Sequence, residues 1–235
     1  MATTRHACGR CARVSARLEN VSDPALGARL RAMMEQRPDW YRAILTGLAF
    51  RLNEAAVPTA LRVGDTMPDF LLPDAADDLV SSADLRARGP LVVCFVRGGW
   101  CPFCATTLSA LDLIVPRIEA AGATLLALAP DTHGHGAELF GRLDLRFKLL
   151  SDVDCGVALQ FGAAYRVPAE YRDALLHFGI DLRSRLGDGP GLLPMPATFI
   201  CDRDGIIRFT YVSGDITERA EPAVISKVVE AINGA

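Results

Sequence analysis

Residues 91–104 read LVVCFVRGGWCPFC, and this stretch decides the fold. Six apolar residues over 91–96 predict a buried strand, and the two glycines at 98–99 predict a tight turn. An amphipathic pattern with helical spacing follows over about 102–121. The stretch is therefore interpreted as a strand, a turn and a helix, with two cysteines at the start of the helix.

Cys101 and Cys104 have the C-x-x-C spacing of a redox pair. Pro102 suits a first helical residue because its missing N–H needs no partner there. Cys101 is then the N-cap, and Cys104 lies one turn into the helix. Free backbone N–H groups and the positive end of the helix dipole favour a thiolate at that point. A redox pair is preferred over a structural pair or a zinc site, which needs about four ligands.

Composition excludes several classes of protein. The chain has 235 residues, of which 50% are hydrophobic, and a net charge of −3, which argues against a nucleic-acid surface. No apolar run approaches the roughly 20 residues of a membrane span. The N-terminus has arginines but no apolar signal-peptide centre, so we expect a cytoplasmic protein. Seven cysteines, an odd number, do not suit a fully paired disulfide framework.

Two regions are predicted. Residues 1–60 form a basic tail (1–20) and a helical extension, with helices over 23–36 and 38–56. Residues 61–235 form an α/β domain, because strand and helix patterns alternate along it. A charged, irregular or helical insertion covers 165–191. The predicted strands of the domain are 68–72, 91–96, 123–129, 147–150, 196–202 and 206–212, and its predicted helices are 81–88, 102–121, 135–143, 154–161 and 221–232.

The chain resembles thioredoxin-fold proteins, specifically the peroxiredoxin-like branch of the alkyl-hydroperoxide-reductase/thiol-specific-antioxidant (AhpC/TSA) group. The resemblance covers about residues 60–235 and implies a central mixed sheet flanked by helices. Its motifs are VGD with PDF, RGGWCPFC, LLSD, PMPATFI and DRDG, which begin at Val63, Arg97, Leu149, Pro194 and Asp202.

The chain departs from the peroxiredoxin pattern P-x-x-x-T-x-x-C. Arg97 takes the place of the proline, Cys101 that of the threonine, and Cys104 that of the peroxide-reactive cysteine. Pro196 takes the place of the family arginine. Two peroxide-activating groups are thus missing, and Arg97 is either a substitute or an ordinary surface residue.

Pro196 also matches the proline that faces the C-x-x-C pair in thioredoxin-like reductases. That resemblance predicts a cis Met195–Pro196 peptide beside the sulfurs. The residues expected to support the site are Pro196, Trp100, Arg97, Pro102 and Thr198.

The resemblance implies a thiol oxidoreductase that needs neither metal nor organic cofactor. In the peroxidase version, Cys104 attacks a hydroperoxide, Cys101 condenses with the sulfenic acid, and a thioredoxin- or glutathione-type donor resets the disulfide. In the disulfide-reductase version, Cys101 is the exposed nucleophile and Cys104 resolves the mixed disulfide. A redox sensor or binding protein is the rival from another class. A homodimer is a further expectation.

Five more cysteines need a role. Cys8 and Cys11 form a second C-x-x-C in the tail, which is inert, a thiol relay or a metal site. Cys155 stands at a predicted helix start, where a resolving role is open. Cys94 and Cys201 lie in apolar strands and are expected to fill the core.

Deleting residues 1–20 should leave peroxide turnover unchanged if the tail cysteines are inert. Steady-state turnover of full-length and shortened protein checks this. A several-fold loss would instead identify the tail as a thiol relay.

Overall fold

A computed structural model describes residues 25–131, 143–187, 189 and 191–233. A five-stranded mixed sheet forms its centre, in the order β5-β4-β3-β8-β9. The strands are β1 (Leu71–Pro73), β2 (Leu79–Ser81), β3 (Leu91–Phe95), β4 (Thr124–Ala129), β5 (Lys148–Ser151), β6 (Ala164–Arg166), β7 (Leu192–Pro194), β8 (Ala197–Cys201) and β9 (Ile207–Val212).

Helices flank the sheet and form the N-terminal extension. In chain order they are α1 (Leu26–Glu35), α2 (Asp39–Ala55), α3 (Ser82–Arg86), α4 (Pro102–Asp112), α5 (Val115–Ala120), α6 (Gly156–Gln160), α7 (Ala169–His177), α8 (Leu182–Leu186) and α9 (Pro222–Asn233).

The strand β3 lies at the centre of the sheet, parallel to β4 and antiparallel to β8. All five of its residues are buried, as its unbroken apolar sequence predicts. Successive side chains of a strand point to opposite faces. Val93 and Phe95 accordingly belong to one core cluster, and Val92 and Cys94 to another. The loop that follows β3 leads from these two core clusters to the cysteine pair.

The N-terminal extension packs on the domain and is held by long-range hydrogen bonds. The carboxylate of Glu221 accepts hydrogen bonds from Leu26 N at 3.0 Å and Gly27 N at 2.8 Å. It thereby caps α1, whose own N-cap side chain makes no hydrogen bond. Asn53 Oδ1 in turn accepts from Gly214 N at 2.8 Å. The extension is thus fixed to the loop between β9 and α9.

The single helix predicted over 102–121 is wrong: the structure has α4 and α5 with a break between them. Pro116 is the reason, because it has no N–H to donate to the carbonyl of Asp112 four residues earlier. The Arg146 guanidinium donates to that carbonyl instead, and Arg146 N donates to Asp112 Oδ1 at 2.8 Å.

Other boundaries also differ from the prediction. The strand expected over 68–72 begins only at Leu71, because Phe70 exchanges hydrogen bonds with Ser82 rather than with a strand. The insertion adds α7, α8 and the antiparallel pair β6–β7. The cis peptide expected at Pro196 is wrong: the Met195–Pro196 bond is trans. The predicted helix at 135–143 and the tail lie outside the described residues, except for Leu143.

Substituting Glu221 with alanine should destabilise α1, because two backbone N–H groups lose their acceptor. We expect a loss of about 0.5–2 kcal/mol, seen as faster amide hydrogen exchange in α1. Glu230→Ala is the matched control, since Glu230 makes only an exposed ion pair with Arg117. Equal exchange in the two variants would contradict the capping role.

Candidate active site

The cysteine pair lies where the sequence predicts it. Cys101 is the N-cap of α4, Pro102 is the first helical residue, and Cys104 follows within the first turn. Gly98 makes the approach to the helix with φ +124, and a Cβ there would lie 2.6 Å from Asp131 Oδ1. Gly99 N donates to Asp131 Oδ2 at 2.6 Å. The turn therefore requires glycine at 98 and is anchored to the residues that follow β4.

Both sulfurs are enclosed by protein. Cys101 and Cys104 are each 0% exposed, so the expectation that Cys101 is the exposed thiol is wrong. They share an apolar cluster with Tyr41 of α2, Tyr171 of α7 and Met195. Side chains of the extension and of the insertion thus help to cover the start of α4.

Arg97 contacts both cysteines. Its side chain is 1% exposed, and its Nη2 lies 3.3 Å from Cys101 Sγ. Its backbone N–H donates to Cys104 Sγ at 3.4 Å. The guanidinium also donates to Tyr171 Oη and lies over the Trp100 ring, 5.0 Å from its centroid. Arg97 pairs with no carboxylate among the described residues, so the thiol pair is its counter-charge.

These contacts shift the pKa values of the two thiols in opposite directions, and this difference is the electrostatic separation of the pair. Burial raises the pKa of Cys101, but hydrogen bonding by Cys104 and the Arg97 guanidinium together hold it well below its usual range. Burial, together with the neighbouring Cys101 sulfur, raises the pKa of Cys104 well above its usual range. These opposite shifts favour the thiolate on Cys101 and the protonated thiol on Cys104.

A second buried arginine, Arg219, approaches the pair from the loop between β9 and α9. Its side chain is 7% exposed and donates from Nη1 to Glu218 O at 2.7 Å, while Nε and Nη2 have no described acceptor. Burial lowers the pKa of Arg219, and the Cys104 and Cys101 sulfurs oppose that effect. Sequence reasoning missed Arg219, since it stands in a charged segment, TERAE, that is typical of an exposed turn.

The supporting residues expected from the sequence have different surroundings. Arg97 and Trp100 lie beside the sulfurs, and Met195, which precedes Pro196, packs in their cluster. The hydroxyl of Thr198 instead lies 3.5 Å from Cys94 Sγ, so Thr198 supports the sheet.

The family model described as "AhpC/TSA family" matches residues 63–210, more than half of the chain. The chain belongs to the AhpC/TSA family. This membership agrees with the motifs that the sequence shares with the group.

Individual relatives cover different parts of this AhpC/TSA chain. A putative peroxiredoxin bcp of Haemophilus influenzae is 32% identical over 102 residues, which cover 43% of this chain and 65% of the relative. The thiol-disulfide oxidoreductase ResA of Geobacillus thermodenitrificans is 25% identical, over 74% of this chain and 86% of the relative. The crystal structure of the peroxidoxin BcpB of Mycobacterium tuberculosis has a TM-score of 0.58 at 21% identity, over 73% of this chain and 98% of that one. The last likeness confirms the thioredoxin-like fold.

The remaining described cysteines of this AhpC/TSA protein are buried and have raised pKa values. Cys155 is fully buried, and burial raises its pKa, with nearby Asp152 and Asp154 adding to the effect. Cys155 does stand at a helix start, as the N-cap of α6, but these effects work against an activated thiol there. Cys94 and Cys201 fill the core as predicted, and burial raises the pKa of each to about 11. Cys8 and Cys11 lie outside the described residues.

The described residues also bear on metal binding and membrane insertion. In the described part of the chain, no three His, Cys, Asp or Glu side chains converge as metal ligands. None of the described helices has the length and apolar character needed to cross a membrane.

Replacing Arg97 with methionine should raise the pKa of Cys101, because the cation that stabilises the thiolate is lost. The rate of alkylation by iodoacetamide at neutral pH should fall about tenfold for each unit by which the pKa comes to exceed the pH. The wild-type thiolate should persist well below pH 9.0, the ordinary cysteine value. The pH dependence of the alkylation rate and of thiolate absorbance measures the pKa of Cys101 in the wild-type protein and in Arg97→Met. Arg62→Met, which changes an exposed arginine, is the control. An unchanged profile in Arg97→Met would contradict the assignment.

Proposed function

We propose that this protein is a thiol peroxidase in which Cys101 attacks the hydroperoxide and Cys104 resolves the product. The observation that supports this most is the contact between Arg97 Nη2 and Cys101 Sγ. A guanidinium beside the sulfur maintains the nucleophilic thiolate. The same cation can stabilise negative charge on the leaving oxygen.

The proposed reaction uses two electrons from each dithiol. The Cys101 thiolate attacks the outer oxygen of ROOH, and the O–O bond breaks to give a Cys101 sulfenic acid and RO⁻, which takes a proton and leaves as ROH. The Cys104 sulfur then attacks the sulfenic sulfur, its proton leaving with the hydroxyl as water, and a Cys101–Cys104 disulfide remains. Two thiols of a donor reduce that disulfide by exchange and become a disulfide themselves.

The choice of Cys101 reverses the sequence-based preference for Cys104. That preference rests on the position of Cys104 in the peroxiredoxin pattern. The electrostatic separation of the two thiols favours Cys101, because the thiolate is the form that attacks. Cys104 retains its proton and is suited to resolution.

Partners and location are part of the same proposal. A hydroperoxide is the substrate, and a thioredoxin- or glutathione-type thiol is the reductant. A small thiol fits the described conformation better, since both sulfurs are enclosed. Cytoplasmic location remains a proposal based on the reactive thiol pair. The homodimer stays a prediction.

A second candidate is a protein disulfide reductase, which the likeness to ResA favours. In that reaction a bulky disulfide must reach Cys101. The complete burial of Cys101 counts against it. A peroxide is small and needs far less opening.

Single-cysteine variants test the proposal with one equivalent of hydrogen peroxide. Cys104→Ser should accumulate a sulfenic acid on Cys101 that dimedone labels, because the resolving thiol is gone. Cys101→Ser should lose the fast reaction. Wild-type protein should yield a Cys101–Cys104 disulfide in peptide maps, and so should Cys201→Ala, the control, whose sulfur contacts Met67 instead.

If dimedone labelled Cys104 in Cys101→Ser at the wild-type rate, Cys104 would be the residue that attacks the peroxide. Rapid exchange with protein disulfides without peroxide reaction would favour the reductase. A disulfide from Cys101 or Cys104 to Cys155 would overturn the proposed pair.

A further inference from the structure

A cavity of ≈ 240 Å³ adjoins the cysteine pair on the Arg97 side. Three segments line it: the α1–α2 region with Arg37 and Tyr41, the active-site segment with Arg97 and Phe103, and the end of α7 with the residues around Phe178. The first of these segments precedes residues 63–210, which the family model matches, and the last lies within the insertion. The cavity is smaller than the roughly 300–1,000 Å³ of pockets for drug-sized ligands.

The side chains that line the cavity are mostly apolar, and the charged ones are cationic. Aromatic and aliphatic side chains supply most of the lining, and the two charged lining residues described are Arg37 and Arg97. No carboxylate is among the described lining residues. Arg97 Nε is buried and lacks an acceptor in the described part of the chain. The cavity therefore suits an organic body with an acceptor-rich, negatively charged group.

Arg97 and Arg37 differ in the group that balances the charge of the guanidinium. Arg97 faces the Cys101 sulfur at 3.3 Å, so the thiolate neutralises it. The half-buried Arg37 has no carboxylate partner among the described residues, and its guanidinium lies 6.0 Å from the centroid of the Phe103 ring. An arginine guanidinium can bind a carboxylate through two parallel hydrogen bonds. Arg37 is the unbalanced charge of the cavity.

We propose that the cavity binds a small organic hydroperoxide that carries a carboxylate, with the carboxylate on Arg37 and the peroxide at Cys101. This inference rests on the proposed peroxidase function and narrows its substrate class. The apolar body packs against Phe103 and Phe178. The reaction is unchanged: the O–O bond breaks, Cys101 becomes a sulfenic acid, and the substrate leaves as the hydroxy acid.

Matched probes test the carboxylate site. The hydroperoxide of 4-isopropylbenzoic acid and that of its methyl ester differ only in charge at one end. Stopped-flow oxidation of reduced wild-type protein should be about tenfold faster with the acid, the effect of one charge-assisted hydrogen bond. Arg37→Gln should bring the acid-to-ester ratio close to one. Arg172→Gln, an exposed arginine of α7 outside the lining, should keep the wild-type ratio.

Binding of 4-isopropylbenzoate, which contains no peroxide, gives a readout independent of turnover. Calorimetry should show about tenfold weaker binding to Arg37→Gln than to wild type or Arg172→Gln. Oxidation of Cys101 by hydrogen peroxide shows whether the peroxidase proposal holds. If it holds, equal rates for acid and ester in wild type, or benzoate binding that does not depend on Arg37, would overturn the inference. If no hydroperoxide oxidises Cys101, the peroxidase proposal fails, and Arg37-dependent benzoate binding would still support a carboxylate site.

Discussion

The contact between the Arg97 guanidinium and the Cys101 sulfur is the interaction on which the rest of the site depends. Burying a lone cation costs several kcal/mol even after relaxation. Among the described residues no carboxylate offsets that cost. Burial lowers the pKa of Arg97, but the Cys101 sulfur at 3.3 Å raises it and keeps the guanidinium charged. The effect is mutual, because the Arg97 guanidinium lowers the pKa of the Cys101 thiol. In the proposed reaction, oxidation of Cys101 removes the negative charge that Arg97 faces.

Side chains of α2 and α7 contribute to the low-dielectric surroundings that strengthen this pair. Tyr41 from α2 and Tyr171 from α7 belong to the cluster that encloses both sulfurs, and the Tyr171 hydroxyl accepts from Arg97. With water excluded, each charge interaction exceeds its value at a surface. The same cover restricts access. A small hydroperoxide has an adjacent cavity to enter, whereas a protein thiol requires these helices to move.

In this chain, the cationic side chains beside the cysteine pair come from positions other than those of the peroxiredoxin pattern. The peroxiredoxin pattern has a threonine and an arginine, but here a cysteine and Pro196 occupy those places. Cations reach the sulfurs instead from Arg97, directly after β3, and from Arg219, in the loop between β9 and α9. The Arg97 side chain contacts Cys101, whereas the pKa of Arg219 is lowered most by burial and is raised more by Cys104 than by Cys101. Membership of the AhpC/TSA family therefore indicates the chemistry but not which residues perform it.

Local sequence was enough to predict the strand, the glycine turn and the helix start with Cys101 and Cys104, because these depend on local periodicity, a φ that favours glycine and a proline at the first helical position. It also predicted the alternating α/β order and the core positions of Cys94 and Cys201. The inward direction of Arg97, the approach of Arg219 to the pair and the cover over both sulfurs became apparent only in the three-dimensional structure. Those outcomes depend on packing between segments more than 70 residues apart, such as Arg97 and Tyr171, and the local pattern around an arginine is the same whether it faces solvent or a buried thiolate.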